Sequence, residues 1–152
     1  MPAGNFTVFD KAIAKLANGT IDLDSHAFKI CVTTNAQGLS TGFGGTSGQA
    51  RYSDLTAEAA PNGDYATGGK AITGPTWVQV GDVATFDCDD ANWTGCTMTV
   101  KYGVIYDDSA TNKDCLGYVD LDTGNPSGIV VSAGDLTIMW NSAGLFTMQR
   151  SS

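Results

Sequence analysis

The chain has 152 residues, 42% hydrophobic, with only 16% charged residues and a formal net charge of −8. That length fits one domain, 1–152, able to bury a core without staples. The eight basic residues are scattered singly between Lys11 and Arg150, which argues against nucleic acid or an anionic membrane as partner, because both demand clustered lysine and arginine.

The acidic residues are fifteen aspartates and one glutamate, Glu58. Aspartate favours turns and caps, whereas glutamate favours helix interiors, so the imbalance points to strands and loops. The expected class is mainly β. In chain order, the opening residues Met1 to Asp10 show no basic stretch followed by an apolar run, so no signal peptide is expected there. No segment reaches the roughly 18 to 20 apolar residues of a membrane span. Residues 5–17 are the one good helix candidate: Phe6, Phe9, Ile13 and Leu16 share a face, and Asn18-Gly19 supplies a stop. Phe28, Ile30 and Val32 then alternate as a strand over 27–33.

Residues 37–49 hold five glycines and read as an irregular loop, either mobile or pinned by a partner. Arg51 to Leu55 reads as a short strand or extended segment, and 58–69 as turns. Strands follow at 70–73 and 77–80, interrupted by Gly74-Pro75, as expected of an edge strand or bulge. Gly81-Asp82 forms a two-residue hairpin loop into 83–87. Residues 87–93 read as an acidic connection, and 97–106 as one long strand with Met98, Val100, Tyr102, Val104 and Tyr106 on a single face. A strand at 116–121 precedes a hairpin of 129–132 with 136–140 through Ala133-Gly134-Asp135, and 145–148 closes the series. Eight or nine strands spaced near ten residues apart predict an antiparallel β-sandwich, jelly roll or barrel.

Chemistry is hard to place on this pattern. His26 is the single histidine, and nothing like Gly-x-Ser-x-Gly surrounds any serine; a surface or capping role is the simpler reading. Cys31, Cys88, Cys96 and Cys115 contain no Cys-x-x-Cys pair for zinc. Cys88 and Cys96 are spaced to close a small loop, but in a reducing cytoplasm free, half-buried thiols are expected. Asp120-Leu121-Asp122-Thr123-Gly124 imitates half of a calcium loop, yet Val131 stands where the closing glutamate belongs, which excludes an EF-hand. Asp87, Asp89 and Asp90 form a weaker calcium candidate, against ordinary turn chemistry. Among the tryptophans, Trp140 belongs to an apolar face and reads as core, and Trp93, beside a polar turn, reads as the better surface candidate. No catalytic residue and no cofactor are expected, and the chain does not read as an enzyme.

Several runs together resemble a known group. They are Asn18-Gly19-Thr20-Ile21-Asp22-Leu23-Asp24, Tyr52-Ser53-Asp54-Leu55-Thr56, Gly63-Asp64-Tyr65-Ala66-Thr67-Gly68-Gly69 and Ala84-Thr85-Phe86-Asp87, continued by Tyr102-Gly103-Val104-Ile105-Tyr106-Asp107 and Ile138-Met139-Trp140-Asn141-Ser142-Ala143-Gly144-Leu145-Phe146-Thr147. In this order they resemble small tailed-phage and prophage virion structural proteins, most closely capsid decoration (cement) proteins. The resemblance implies an antiparallel β-sandwich of jelly-roll type with one short N-terminal helix. It implies a virion protein on the head surface, assembled in the host cytoplasm, that stabilises the shell by non-covalent contacts with the major capsid protein and associates with itself as a dimer or trimer. Phe6, Phe9, Phe43 and Trp93 are the expected partner contacts. The alternative is a receptor- or glycan-binding module of a tail or fibre.

Overall fold

A computed structural model describes residues 4–151. The chain is mainly β, with one helix and antiparallel sheets. Its strands are β1 (Thr7–Val8), β2 (Phe28–Thr33), β3 (Lys70–Ala71), β4 (Thr76–Val80), β5 (Val83–Asp87), β6 (Ala91–Val100), β7 (Tyr102–Asp107), β8 (Cys115–Asp120), β9 (Ile129–Ile138) and β10 (Phe146–Gln149). They form a central sheet of order β1-β8-β7-β2-β3, a second of order β10-β5-β4 and a β6-β9 ribbon.

Both faces of the central sheet are covered, so Cys31 is buried on one face of β2 as Ile30 and Val32 are on the other. One face carries Phe28, Ile30, Ile105 and Val119. It meets the smaller sheets through the Phe28–Phe86 ring contact and through Ile138, whose side chain occupies the space a Cβ on Gly103 would need. The opposite face carries Cys31, Val104, Tyr106 and Tyr118. There Tyr52 stacks on Tyr106 at 4.6 Å between ring centroids, and Phe9 stacks on Tyr118 at 5.2 Å.

The helix α1 (Asp10–Ala17) is shorter than the spacing of its apolar residues predicts. Phe9 adopts an extended backbone, and Thr7 and Val8 pair with Tyr118 and Gly117 as β1, so the central sheet captures the first residues. Arg51 to Leu55 is not a strand either: Tyr52–Asp54 is a 3-10 turn.

Three further differences share one cause, that hydrophobic alternation does not record which sheet a strand joins. The expected strand 97–106 is two strands meeting at Lys101, where the chain leaves the ribbon and enters the central sheet. The backbone of Lys101 there donates to Thr33 O and accepts from Leu121 N. The expected acidic connection ends early, because β6 already begins at Ala91. The expected hairpin at Ala133-Gly134-Asp135 is absent: β9 runs unbroken from Ile129 to Ile138, and its pairing with β6 shifts register around Cys96. Ala133 sits there at φ +48° and Gly95, nearby on β6, at φ +63°, so two bulges, one on each strand, absorb what reads as a turn.

Candidate functional site

Sheet edges are the first places where this fold must use side chains. β3 pairs only with Lys29 and Ile30 of β2. Beyond it, the Tyr65 hydroxyl accepts from Val32 N at 3.1 Å, Ala59 N donates to Val32 O, and Glu58 bridges to Thr33. Glu58 anchors this cover. Its Oε1 accepts from the Tyr65 hydroxyl at 2.8 Å and from Gly68 N at 2.6 Å, and its Oε2 accepts from the Tyr52 hydroxyl at 2.6 Å. Burial, with the carboxylate beside them, holds both tyrosine hydroxyls well above their ordinary range. The single glutamate and three tyrosines therefore form a structural cluster, completed by the Tyr106 hydroxyl donating to Gly68 O at 2.8 Å.

The glycine-rich stretch is pinned from within the chain. Asp54, 3% exposed, accepts from Ser47 N (2.8 Å), Arg51 N (2.9 Å) and the Thr46 hydroxyl (3.2 Å), and also from the Ser47 hydroxyl. Burial raises a carboxyl, but these donors outweigh it and hold Asp54 below its ordinary value. Gly45, at φ +54°, passes so close that a Cβ there would stand 2.2 Å from that of Asp54. Asp114, also buried, joins the same region to α1 through Lys15 Nζ, which donates in addition to Gln49 O.

Of the expected contact residues, Trp93 and Phe9 are corrected: both are fully buried. Trp93 lies under Tyr65 with Lys70 Nζ over its ring, because β6 starts before it and turns it inward. Phe9 is covered by Phe43 and Tyr118. Phe43 is half-buried on Phe9, and Phe6 is half-buried between Trp140 and Phe146. Trp140, which read as core, is half-exposed, with its indole N–H donating to Asp89 O.

The carboxylates Asp87, Asp89 and Asp90 are not brought together as ligands. Asp87 accepts from Cys88 N and Asp90 from Trp140 N, and among the described residues no cluster of three metal-ligating side chains occurs. The half-calcium loop carries a cation of its own. Lys101, 5% exposed, directs its ammonium at Asp120 Oδ1 (2.8 Å), Asp122 O (2.5 Å) and Asn125 O (2.9 Å), three acceptors for three protons. A lysine on the same apparent strand as Val100 and Tyr102 gave no sign of this in the sequence.

His26 Nδ1 lies 2.6 Å from Asp107 Oδ2, and Asp107 is fully buried with its other oxygen accepting from Ser109 N and Ala110 N. This aspartate–histidine pair resembles two members of a triad. The nearby hydroxyls are engaged elsewhere: Ser25 donates to Asp22, and Ser109 accepts from Ala27 N. The pair ties the start of β2 to the end of β7.

The remaining surface is notable for exposed apolar side chains: Ile13, Val78, Val80, Val130, Met139 and Met148. A shallow groove lined by Val8, Ile13, Leu16, Phe146 and Met148 runs between α1 and β10. Among the described residues, no helix is long and apolar enough to cross a membrane. The chain matches no family model, and no curated protein or solved structure matches it significantly.

Proposed function

We propose that this chain is a virion structural protein of a tailed phage, a decoration protein that stabilises the head by non-covalent contacts with the major capsid protein. A jelly-roll reading of the three sheets belongs to the same proposal. The observation that carries it is the division of labour among side chains. The motifs that carry the resemblance serve the fold: Tyr52 to Asp54 pins the glycine-rich loop, Gly63 to Gly69 caps β2, and Trp140 packs on Phe6. The polar groups that could do chemistry are spent on each other, while apolar side chains remain exposed for contact.

A glycan-binding tail or fibre module would need an exposed ring to stack on sugar, and Trp93, the better surface candidate among the tryptophans, is buried. The test is addition of purified protein to expanded heads that lack it, followed by sedimentation and calorimetry of the heads. Saturable co-sedimentation with a raised melting temperature is expected. Failure to bind heads, or absence of the protein from purified virions, overturns the proposal.

A further inference from the structure

The edges of this fold are managed unequally. That of β2 is covered by Tyr65 and residues 57–59. That of β6 is met by Asn62 and Asp64, which bond Thr97 N and Thr94 N. β9 carries a bulge at Ala133. β10 is flanked by the groove against α1. β4, Thr76-Trp77-Val78-Gln79-Val80, has only Pro75 before it and its own short length as protection. It is exposed along its length except for half-buried Trp77.

The register of the β4–β5 hairpin says which backbone groups are free. The two-residue turn Gly81-Asp82 makes Val80 and Val83 the closing hydrogen-bonded pair, so Val78 and Thr76 also direct their N–H and C=O at β5. Trp77 and Gln79 therefore direct theirs outward. Among the described residues, no backbone hydrogen bond beyond the β5 ladder reaches either of them.

We propose that the outer edge of β4 pairs antiparallel with β4 of a second copy of this chain about a two-fold axis through Val78, making one six-stranded sheet. The sequence of the strand favours a second copy over another strand. The segment is close to self-complementary about Val78: Thr76 would face Val80, Val78 itself, and Trp77 Gln79, so β-branched side chains meet on the outer face. Trp77 and Gln79 would then exchange four backbone hydrogen bonds across the axis. Finally, each copy carries a net charge of −8, and two copies repel wherever their aspartates meet. The outward face of the hairpin, Thr76, Val78, Val80, Val83 and Thr85, carries no charge between Asp82 in the turn and Asp87 at its other end, so the centre of this interface brings no aspartates together.

This inference rests on the proposed structural role for its purpose, but it is tested on free protein. Sedimentation equilibrium across concentration is expected to show a monomer–dimer equilibrium. Val78→Lys should weaken it at least tenfold, while Val130→Lys, at a still more exposed valine on β9, should leave it unchanged. Far-ultraviolet circular dichroism checks that both variants fold. Val78→Cys should give a disulfide-linked dimer on mild oxidation, and Val80→Cys, which faces Thr76, should not. In hydrogen exchange, the Trp77 and Gln79 amides should gain protection as concentration rises. A wild type monomeric at all concentrations, a dimer indifferent to Val78→Lys, or equal loss in Val130→Lys each overturns the proposal. Head binding by a strictly monomeric protein would overturn this interface and leave the decoration role standing.

Discussion

Tyr65 shows how much one hydroxyl can carry. It accepts from the otherwise unpaired Val32 N and donates to Glu58. Tyr65→Phe keeps the ring against Trp93 and leaves a buried N–H without a partner, so a loss of about 1–3 kcal/mol is expected, measured by urea denaturation. Glycine at 69 is equally constrained. Its φ is +71°, and an added Cβ would lie 1.8 Å from Ile30 O, inside the β2 backbone. Gly69→Ala is expected to cost more than about 3 kcal/mol, at the severe end for point variants. Ala133 is the converse, an exposed alanine at φ +48° within a bulge. Ala133→Gly relieves a left-handed strain of about 1–2 kcal/mol and returns part of it as unfolded-chain entropy. A net gain of a few tenths to about 1 kcal/mol is expected by the same denaturation measurement.

Among the elements, the glycine-rich loop changes most between sequence and structure. Five glycines predict irregularity, and irregular it is, but the chain's own Asp54 anchors it. Nothing in Tyr52-Ser53-Asp54 marks that aspartate among fifteen, because its donors are backbone groups and hydroxyls assembled only by folding. Asp54→Asn keeps the shape and weakens the charge-assisted bonds, so faster proteolysis within 38–49 is expected, together with lower stability. The pH dependence has a definite sign. The folded Asp54 carboxyl lies below its ordinary value of 3.8, so its contribution is complete above that value and is lost as pH falls through the lowered folded pKa. Between about pH 5 and pH 2 the wild type should therefore lose more stability than Asp54→Asn. Equal slopes would mean that this carboxylate is not the anchor. The strands were easier to read than their grouping. The hairpin β4–β5 stands where Gly81-Asp82 and its flanking alternation put it, whereas the long strand through Lys101 and the false turn at Ala133 failed because a corner and a bulge keep the two-residue period. The site residues were least legible. Trp93 reads as exposed because it stands beside a polar turn, and the burial of Lys101 is invisible in sequence because its three acceptors come from residues 120–125.

At the scale of the molecule, a central sheet covered on both faces and one continuous hydrophobic cluster imply a single cooperative unit. The cysteines can test this, because they fall in two regions. Cys31 and Cys115 lie on the central sheet, whereas Cys88 follows β5 and Cys96 lies on β6 of the ribbon. All four are free and buried. Burial raises the Cys31 and Cys115 thiols well above their ordinary value and pushes Cys88 up to about 12, with the charges of Asp87, Asp89 and Asp90 adding to the effect. In the folded state near neutral pH the reactive thiolate is therefore scarce and shielded, and labelling must proceed through opening. Pulsed alkylation in urea, read by peptide mass spectrometry, should give all four thiols the same midpoint, coincident with loss of circular dichroism. Cys88, the most exposed at 9%, would show any local opening first, as labelling below that midpoint. If Cys88 and Cys96 were labelled together at lower urea than Cys31 and Cys115, the smaller sheets would unfold as a unit separate from the central sheet. The contacts between Phe28 and Phe86 and between Gly103 and Ile138 would then be too weak to join the two, and the chain would not be one cooperative domain.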